Sequence, residues 1–158
     1  MKTSKRFLVE VWIDGSCIGN PGPGGWAAVL VTDGKARLLG GHVAKATNNQ
    51  METRALREAL ATLKVPCEVV VFTDSQYVIL GLQKVLLGKF PETNLDYWGA
   101  VHRVIGRHSI LISKTDAHGD DRWNNLVDDV AYRCAKYGLD FNEFYDDSIE
   151  LLNKARKR

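Results

Sequence analysis

Four acidic residues follow apolar β runs or lie at helix-forming segments, and together they could support metal-assisted chemistry. They are Asp14, Glu52, Asp74 and Asp128. Each alone has an ordinary explanation as a turn residue, a helix cap or a solvated surface charge. Clustered, they would concentrate negative charge that only cations make tolerable. Carboxylate oxygens without a histidine or cysteine cluster favour Mg²⁺ or Mn²⁺.

Two of these carboxylates end strongly apolar β runs. The run over residues 7–13 ends at Asp14, and the run over 68–73 ends at Asp74. If the two strands are parallel neighbours, both carboxylates emerge at one edge of the sheet, where α/β folds place their sites. Glu52 would enter between them on the first turn of a helix. Two divalent ions about 4 Å apart at such an edge suit in-line displacement at a phosphodiester.

The whole pattern predicts a mixed α/β fold with a five-stranded sheet and helices on both faces. The predicted strands cover 7–13, 26–32, 36–43, 68–73 and 108–113, and the predicted helices cover about 49–64, 76–87, 94–106 and 124–137. We expect residues 1–138 to form this domain. Residues 139–158 would form a C-terminal extension, helical and with a basic end.

The composition is ordinary for one globular domain of 158 residues, with 45% hydrophobic residues. The net charge of +2 is too small to indicate nucleic acid by itself. Cys17, Cys67 and Cys134 form no C-x-x-C pair, which argues against structural zinc and fits free thiols in a reducing compartment. Glu10 and Asp14 interrupt the first apolar stretch, so we expect a cytoplasmic protein without a signal peptide or membrane span. We also expect the protein to be a monomer.

Four motifs, in order along the chain, resemble those of the type I ribonuclease H family. They are Asp14-Gly15-Ser16 with the following Gly/Pro-rich loop to Trp26-Ala27, then Thr47–Glu52, then Thr73–Val78, and finally His118 followed by Asn124–Ala131. The resemblance covers about residues 7–137. One Asp-Gly-Ser tripeptide has no specificity, whereas four motifs in register are a highly specific signal.

This resemblance implies an endonuclease that hydrolyses the RNA strand of RNA–DNA hybrids by a two-metal-ion mechanism. The products would carry 3′-hydroxyl and 5′-phosphate ends, and the cofactor would be two Mg²⁺ ions, for which Mn²⁺ could substitute. The implied metal ligands are Asp14, Glu52, Asp74 and Asp128, with Asp14 bridging both ions. Asp129 is a rival for the fourth place, and Asp128 is preferred for its spacing from His118 and Asn124. His118 would assist proton transfer or product release, as an imidazole titrating near neutral pH can.

Amide and hydroxyl side chains flank the carboxylate motifs and could read the hybrid. The 2′-hydroxyl is both donor and acceptor and lies in a wide, shallow minor groove, and amides match it by being both as well. The resemblance assigns minor-groove contacts to Asn20, Asn48, Asn49 and Gln76, and phosphate contacts to Thr47 and Asn94, with Lys45 a weaker candidate. Any one of them alone could serve turn or cap chemistry.

The chain departs from many relatives between its second and third helices. Those relatives carry a long protrusion rich in Lys and Trp, whereas residues 82–92 here are short and barely basic. Integrases, resolvases and exonucleases share the fold, so the fold alone does not decide the substrate. An inert hybrid-binding module and a domain of a polymerase polyprotein are further alternatives. The amide cluster and the Asn-Pro-Gly-Pro-Gly-Gly loop favour the hybrid nuclease, and the complete set of carboxylates argues against the inert module. The compact chain with its own start Met favours a free-standing enzyme over a polyprotein domain.

Overall fold

Strands and helices alternate around a mixed sheet in the computed structural model, which describes residues 6–116 and 119–155. The strands are β1 (Phe7–Cys17), β2 (Gly22–Thr32), β3 (Lys35–Ala46), β4 (Cys67–Thr73), β5 (Ser109–Lys114) and β6 (Phe141–Tyr145). The helices are α1 (Asn48–Ala61), α2 (Gln76–Leu86), α3 (Leu95–Ile105), α4 (Arg122–Tyr137) and α5 (Ser148–Ala155). The strand order is β5-β4-β1-β2-β3-β6. The predicted fold class, a mixed α/β sheet with helices on its faces, is confirmed.

The sheet has six strands rather than the five predicted. The additional strand, β6, lies in the segment expected to be a helical extension, and it pairs antiparallel with β3. Its sequence, Phe-Asn-Glu-Phe-Tyr, is short and belongs to a sheet edge, so only part of it is buried and its β pattern is weak. The Arg37 guanidinium lies over the Phe144 ring, 4.4 Å from its centroid, in a cation–π contact between the paired strands. The predicted helix follows as α5.

The parallel pairing of β1 with β4 sets the position of two candidate carboxylates. Trp12 of β1 is the partner of Phe72 in β4. Asp14 and Asp74 each follow two positions later, Asp14 within β1 and Asp74 directly after the end of β4, so they reach the same level of the sheet side by side. β1 continues beyond Asp14 to Cys17 because β2 goes on pairing with it after β4 has ended.

Helices α1, α2 and α3 cover one face of the sheet. Val9, Val11 and Ile13 of β1 point to this face and pack in one cluster with Met51 and Trp98. All five side chains are at most 3% exposed. Burial on this scale stabilises a protein by roughly 1.5–3 kcal/mol for each large apolar side chain. This core fixes α1, which carries Glu52.

Helices α4 and α5 cover the opposite face. Trp12 and Val29 alternate with the residues of the first core and pack here with Val127 and Leu151. Helix α4 lies so close to β2 that a Cβ at Gly25 would overlap the backbone of α4. This second core fixes α4, which carries Asp128.

Two further expectations concern thiols and membranes. Cys17, Cys67 and Cys134 are free cysteines, as predicted. Among the described residues, no helix combines the length and the apolar character needed to cross a membrane.

Leu151→Ala tests whether α5 is an integral part of the second core. Leu151 is 0% exposed, so we expect the free energy of unfolding to fall by about 2–5 kcal/mol. Ile149→Ala is the matched control on the same helix, because Ile149 is 53% exposed and its loss should cost less than about 0.5 kcal/mol. Urea denaturation measures both values. Equal, small effects would mean that the extension folds independently of the core.

Candidate active site

Three carboxylates converge at the edge of the sheet where β1 and β4 end. One oxygen from each of Asp14, Glu52 and Asp74 lies within 4.8 Å of the others. Asp14 is the most buried, at 6% exposure. Asp128, on α4, is exposed at the mouth of this group and hydrogen-bonds with the Asp14 side chain. The structure therefore brings all four predicted carboxylates together, and Asp14 interacts with both Asp74 and Asp128.

Glu52 reaches this group because α1 approaches β1 very closely. A Cβ at Gly15 would overlap the backbone of Met51 and Glu52, so only glycine permits this approach. The helix start is fixed by a capping box, in which Thr47 Oγ1 accepts from the Gln50 amide and Gln50 Oε1 accepts from the Thr47 amide. The first turn of α1 is thereby held against the end of β1.

Burial and mutual repulsion raise the pKa of the carboxyls in this group. For Asp14 the main cause is burial, followed by repulsion from Asp74, and the pKa rises to about 9. For Glu52 burial again dominates and the pKa rises to about 7. Within the described part of the chain, no lysine or arginine lowers either value. Asp14 and Glu52 are thus electrostatically suited to bind a cation.

Ser75 is a site residue that was not predicted, although it lies within the Thr73–Val78 motif. It caps α2, since its Oγ accepts from the Val78 amide at 3.1 Å. Its hydroxyl also donates to the Glu52 carboxylate, which lowers the pKa of that group against the larger effect of burial. Ser75 is 8% exposed. The signal in the sequence is that Ser75 directly follows Asp74, between the end of β4 and the start of α2, and so lies at the same edge of the sheet as Asp74.

Helix α4 distinguishes Asp128 from its rival Asp129. Asp129 points away from the site and accepts from Arg133 Nε at 3.0 Å, an i,i+4 ion pair on the helix surface. The helix begins at Arg122 rather than the predicted 124, because Asp121 accepts from the amides of the first turn. Asp121 also accepts from Trp12 Nε1 at 2.9 Å, which anchors the start of α4 on β1. Asp128 is thus the one of the pair that faces Asp14.

His118 lies outside the described residues, so its predicted role is not tested by the structure. The described chain on either side is anchored to α4. Asn124, 2% exposed, accepts from the Thr115 hydroxyl and donates to the Asp116 carbonyl. Asn125 donates to the Gly119 carbonyl at 3.0 Å.

The four amides predicted to contact the minor groove lie around the carboxylate group. Asn20 Oδ1 accepts from the backbone N–H of Asn48 at 3.1 Å, and this bond connects the loop after β1 with the start of α1. Asn48 is partly exposed and Asn49 is exposed. Gln76 is the exposed first residue of α2, two positions after Asp74. These side chains are accessible to a ligand that covers the carboxylates.

Thr47 and Asn94, predicted to contact phosphate, are linked through a residue that the sequence analysis missed. Gln50 forms the capping box with Thr47 and donates from Nε2 to Asn94 Oδ1 at 3.2 Å. Asn94 in turn donates from Nδ2 to the Tyr77 hydroxyl at 2.9 Å. Lys45, the weaker candidate, is exposed near the end of β3.

Comparison with known proteins identifies the family. The family model described as RNase H matches residues 6–136. The chain belongs to the ribonuclease H family. A ribonuclease H of Caldicellulosiruptor saccharolyticus is 35% identical over 139 residues, covering 81% of this chain and 96% of that protein. A ribonuclease H of Xanthomonas oryzae pv. oryzae is 42% identical over 133 residues, covering 78% and 89%. The predicted family is confirmed, and the ribonuclease H relationship makes the chain a metal-dependent hydrolase that acts on RNA in RNA–DNA hybrids.

Solved structures of this family share the fold. The crystal structure of LC9-RNase H1, described as a type 1 RNase H with the type 2 active-site motif, matches with a TM-score of 0.81 and 23% identity. That match covers 99% of this chain and 88% of the other, so it includes β6 and α5. RNase H1 from Halobacterium salinarum NRC-1 matches with a TM-score of 0.61 and 23% identity, covering 80% of this chain and 96% of the other.

The donor set of the ribonuclease H site fits a hard divalent cation. All the candidate ligand atoms are carboxylate oxygens, the type that Mg²⁺ and Mn²⁺ prefer. Three of the carboxyls are buried or half-buried with oxygens within 4.8 Å of one another. Bound cations or bound protons are needed to offset the repulsion and the cost of burying these charges. The raised pKa values of Asp14 and Glu52 express the same requirement.

The stability of the metal-free protein should fall as pH rises. Because folding raises the pKa of Asp14 from 3.8 to about 9, its contribution is fully present below pH 3.8 and is lost as pH rises towards 9. Glu52 acts in the same direction up to about pH 7. Asp14→Asn removes the larger effect, so in EDTA we expect the variant to exceed the wild type by about 1–2 kcal/mol at pH 8. The two should converge near pH 4.

Urea denaturation in EDTA across this pH range measures both proteins. Adding Mg²⁺ at pH 8 should stabilise the wild type more than Asp14→Asn, because the folded wild type binds the ion better. Parallel pH profiles for the two proteins would contradict the assignment of Asp14 as the strained carboxyl.

Proposed function

We propose that this chain is an endonuclease that hydrolyses the RNA strand of RNA–DNA hybrids by a two-metal-ion mechanism, leaving 3′-hydroxyl and 5′-phosphate ends. The observation that carries the proposal is the group of Asp14, Glu52 and Asp74, with oxygens within 4.8 Å of one another. Asp128 adjoins it from α4. Accessible amide side chains follow β1 and lie at the starts of α1 and α2, close in sequence to these carboxylates, and amides are able to bind a 2′-hydroxyl.

Asp14, Glu52, Asp74 and Asp128 would hold two Mg²⁺ ions, for which Mn²⁺ could substitute. Asp14 is the bridging candidate, because it is the carboxyl that interacts with both Asp74 and Asp128. Bound there, such ions would make water more acidic for attack at neutral pH and would offset negative charge on the phosphate and leaving oxygen. The protein supplies a rigid frame, since two cores and the Gly15 contact prevent the ligands from moving apart.

The reaction is an in-line displacement at phosphorus. Water attacks the phosphorus, the bond to the 3′ oxygen breaks, and that oxygen takes up a proton to become a hydroxyl. The phosphate remains on the 5′ side of the next nucleotide. His118 is the candidate for moving a proton during the reaction or for releasing product, and Asn124 and Asn125 anchor the chain on either side of it.

The amides supply the preference for a hybrid. Asn20, Asn48, Asn49 and Gln76 would bind 2′-hydroxyls and base edges in the minor groove, where each amide can both donate and accept. Thr47 and Asn94, with Lys45 as a weaker candidate, would bind phosphates of the DNA strand. The bond from the Asn48 backbone N–H to Asn20 Oδ1 supports this assignment, because it holds the Asn20 side chain beside the start of α1, which carries Asn48 and Asn49.

We further propose that the ribonuclease acts as a monomer in the cytoplasm. All of the candidate ligands come from one chain, so no second copy is needed to complete the site. Three free thiols fit a reducing compartment. We assign the site to residues 1–138, and β6 and α5 support that domain by packing on it.

Purified protein incubated with end-labelled substrates tests this function directly. We expect Mg²⁺-dependent cutting of the RNA strand in an RNA–DNA hybrid, and none of duplex DNA, duplex RNA or single-stranded RNA. EDTA should abolish cutting, and Asp14→Asn should lower it by a factor of about 10³ or more, since ligand loss removes several kcal/mol of transition-state stabilisation. Mapping the fragment ends would identify the 3′-hydroxyl and 5′-phosphate.

Other outcomes would lead to other conclusions. Metal-dependent cutting of a different nucleic acid would keep the carboxylate site and reject the hybrid specificity. Binding of hybrid without any cutting would favour the inert binding module.

A pair of adjacent substitutions tests the fourth ligand. Asp128→Asn should reduce hybrid cleavage by about 10²-fold or more, because the side chain adjoins Asp14. Asp129→Asn is the matched control and should leave cleavage within about threefold, because it loses only a surface ion pair worth about 0.5 kcal/mol. Steady-state kinetics compare the two. A larger loss for Asp129→Asn would reverse the assignment.

A further inference from the structure

The Tyr77 hydroxyl is the centre of a hydrogen-bond network beside the active site. It accepts from Asn94 Nδ2 at 2.9 Å and from Trp98 Nε1 at 3.1 Å. It lies 2.9 Å from Thr93 Oγ1 and 3.4 Å from the Thr93 carbonyl, to which it can donate. A phenol has one donor and two acceptor positions, so these partners use its full capacity.

The ring of Tyr77 is fixed as firmly as its hydroxyl. It packs edge-on against Trp98, with centroids 6.0 Å apart and an interplanar angle of 67°. Trp98 is 0% exposed and lies against α2, where a Cβ at Gly81 would overlap its ring. Tyr77 therefore joins the start of α2, close behind Asp74, to the start of α3.

Asn94 adopts a backbone conformation that its side-chain contacts explain. Its φ of 53° and ψ of 47° lie in the left-handed region, which costs a non-glycine residue roughly 1 kcal/mol or more. It occupies the N-cap of α3 yet makes no side-chain cap bond. Its amide instead bridges Tyr77 on α2 and Gln50 on α1. Asn94 therefore makes no side-chain cap bond for α3 and connects three helices instead.

The network leaves donors free where phosphate is proposed to bind. Asn94 retains one N–H, because only one of the two on Nδ2 is used by Tyr77. The Thr47 oxygen accepts from the Gln50 amide and keeps its own O–H for donation. Gln50 links the two residues, so both free donors are held in one fixed arrangement.

We propose that Tyr77 is a positioning residue for substrate binding, which acts through Asn94 and Gln50 to hold the donors of Asn94 and Thr47 for a phosphate of the hybrid. The inference rests on the proposed function, because it deepens the assignment of Thr47 and Asn94 as phosphate contacts. Tyr77 touches neither the substrate nor the carboxylates in this scheme. It affects how tightly the hybrid binds and leaves the chemical step unchanged.

Steady-state kinetics of Tyr77→Phe on a labelled hybrid test the proposal. The substitution removes one oxygen and frees two donors, so we expect KM to rise about 3- to 10-fold, equivalent to about 0.7–1.4 kcal/mol. We expect kcat to stay within about twofold, as for a loss of uniform binding. The dependence of KM on salt should keep its slope, because Asn94 and Thr47 are uncharged and release no counterions. Tyr137→Phe, at the exposed end of α4, is the matched control and should change neither parameter.

A second set of variants keeps the test valid if Tyr77→Phe folds poorly. Asn94→Gly preserves the left-handed backbone and removes only the amide, so it should raise KM at least as much. Asn94 connects Tyr77 with Gln50 by one hydrogen bond to each, so the effects of Tyr77→Phe and Gln50→Ala on KM should be non-additive in the double variant.

Fluorescence anisotropy of labelled hybrid in EDTA gives a readout without catalysis, and Kd should rise in parallel with KM. Unchanged KM and Kd in Tyr77→Phe, a fall in kcat alone, or additive effects in the double variant would overturn the inference. A wild-type protein that neither cuts nor binds hybrid would overturn the proposed function itself, which is a different result from a wild type that cuts hybrid no better than Tyr77→Phe.

Discussion

Mutual repulsion among four carboxyl groups is the constraint on which the rest of this structure depends. Asp14 is nearly buried, yet Asp74 and Asp128 both act on it and no cationic side chain among the described residues offsets them. Like charges in a poorly hydrated place tend to separate or to take up protons. The fold prevents separation and buries Asp14, and burial first, then repulsion from Asp74, raises the pKa of Asp14. Because the stable surrounding fold holds these carboxyl groups together despite their repulsion, the site has affinity for cations.

The resistance to separation comes from backbone that packs very closely on both faces of the sheet. On one face α1 approaches β1 at Gly15, where there is no space for a Cβ. On the other face α4 approaches β2 at Gly25 with equally little space. Glu52 and Asp128 therefore come to Asp14 from opposite sides on helices that cannot withdraw without disrupting a core. The indole of Trp12, bonded to Asp121, adds an anchor at the start of α4.

Much of this arrangement could be predicted from the sequence, because it follows from local patterns. The apolar runs before Asp14 and Asp74 predict two strands, and the pairing of Trp12 with Phe72 meets the condition that these strands be parallel neighbours. The edge strand β6 and the Tyr77 network could not be predicted in this way, because both depend on contacts between distant parts of the chain. Strand β6 exists because β3 offers an edge to pair with, and its own sequence has a weak pattern.

The site residues divide in the same way. Ser75 and Gln50 occupy cap positions, where their local role hides a second contact. Tyr77 and Asn94 are separated in sequence, and only the packing of α2 on α3 brings the phenol to the amide. Asp128 and Asp129 are neighbours that differ only in the face of α4 from which they project. Spacing within a motif suggested the choice between them, and the ion pair of Asp129 with Arg133 gives its physical reason.

The short connection between α2 and α3 gives the Tyr77 network its importance. Residues 87–94 contain one lysine and one glutamate, so their charges cancel and they offer no basic surface to a nucleic acid. Under the proposed function, binding must then rely on neutral donors, which contribute through geometry more than through long-range attraction. Neutral hydrogen bonds are worth little when the donors are free to move, because ordering them on binding costs entropy. A left-handed Asn94, held by Tyr77 and Gln50 before any ligand arrives, reduces that cost. The same connection that lacks net charge thus ends in Asn94, whose side chain is held by residues of two other helices.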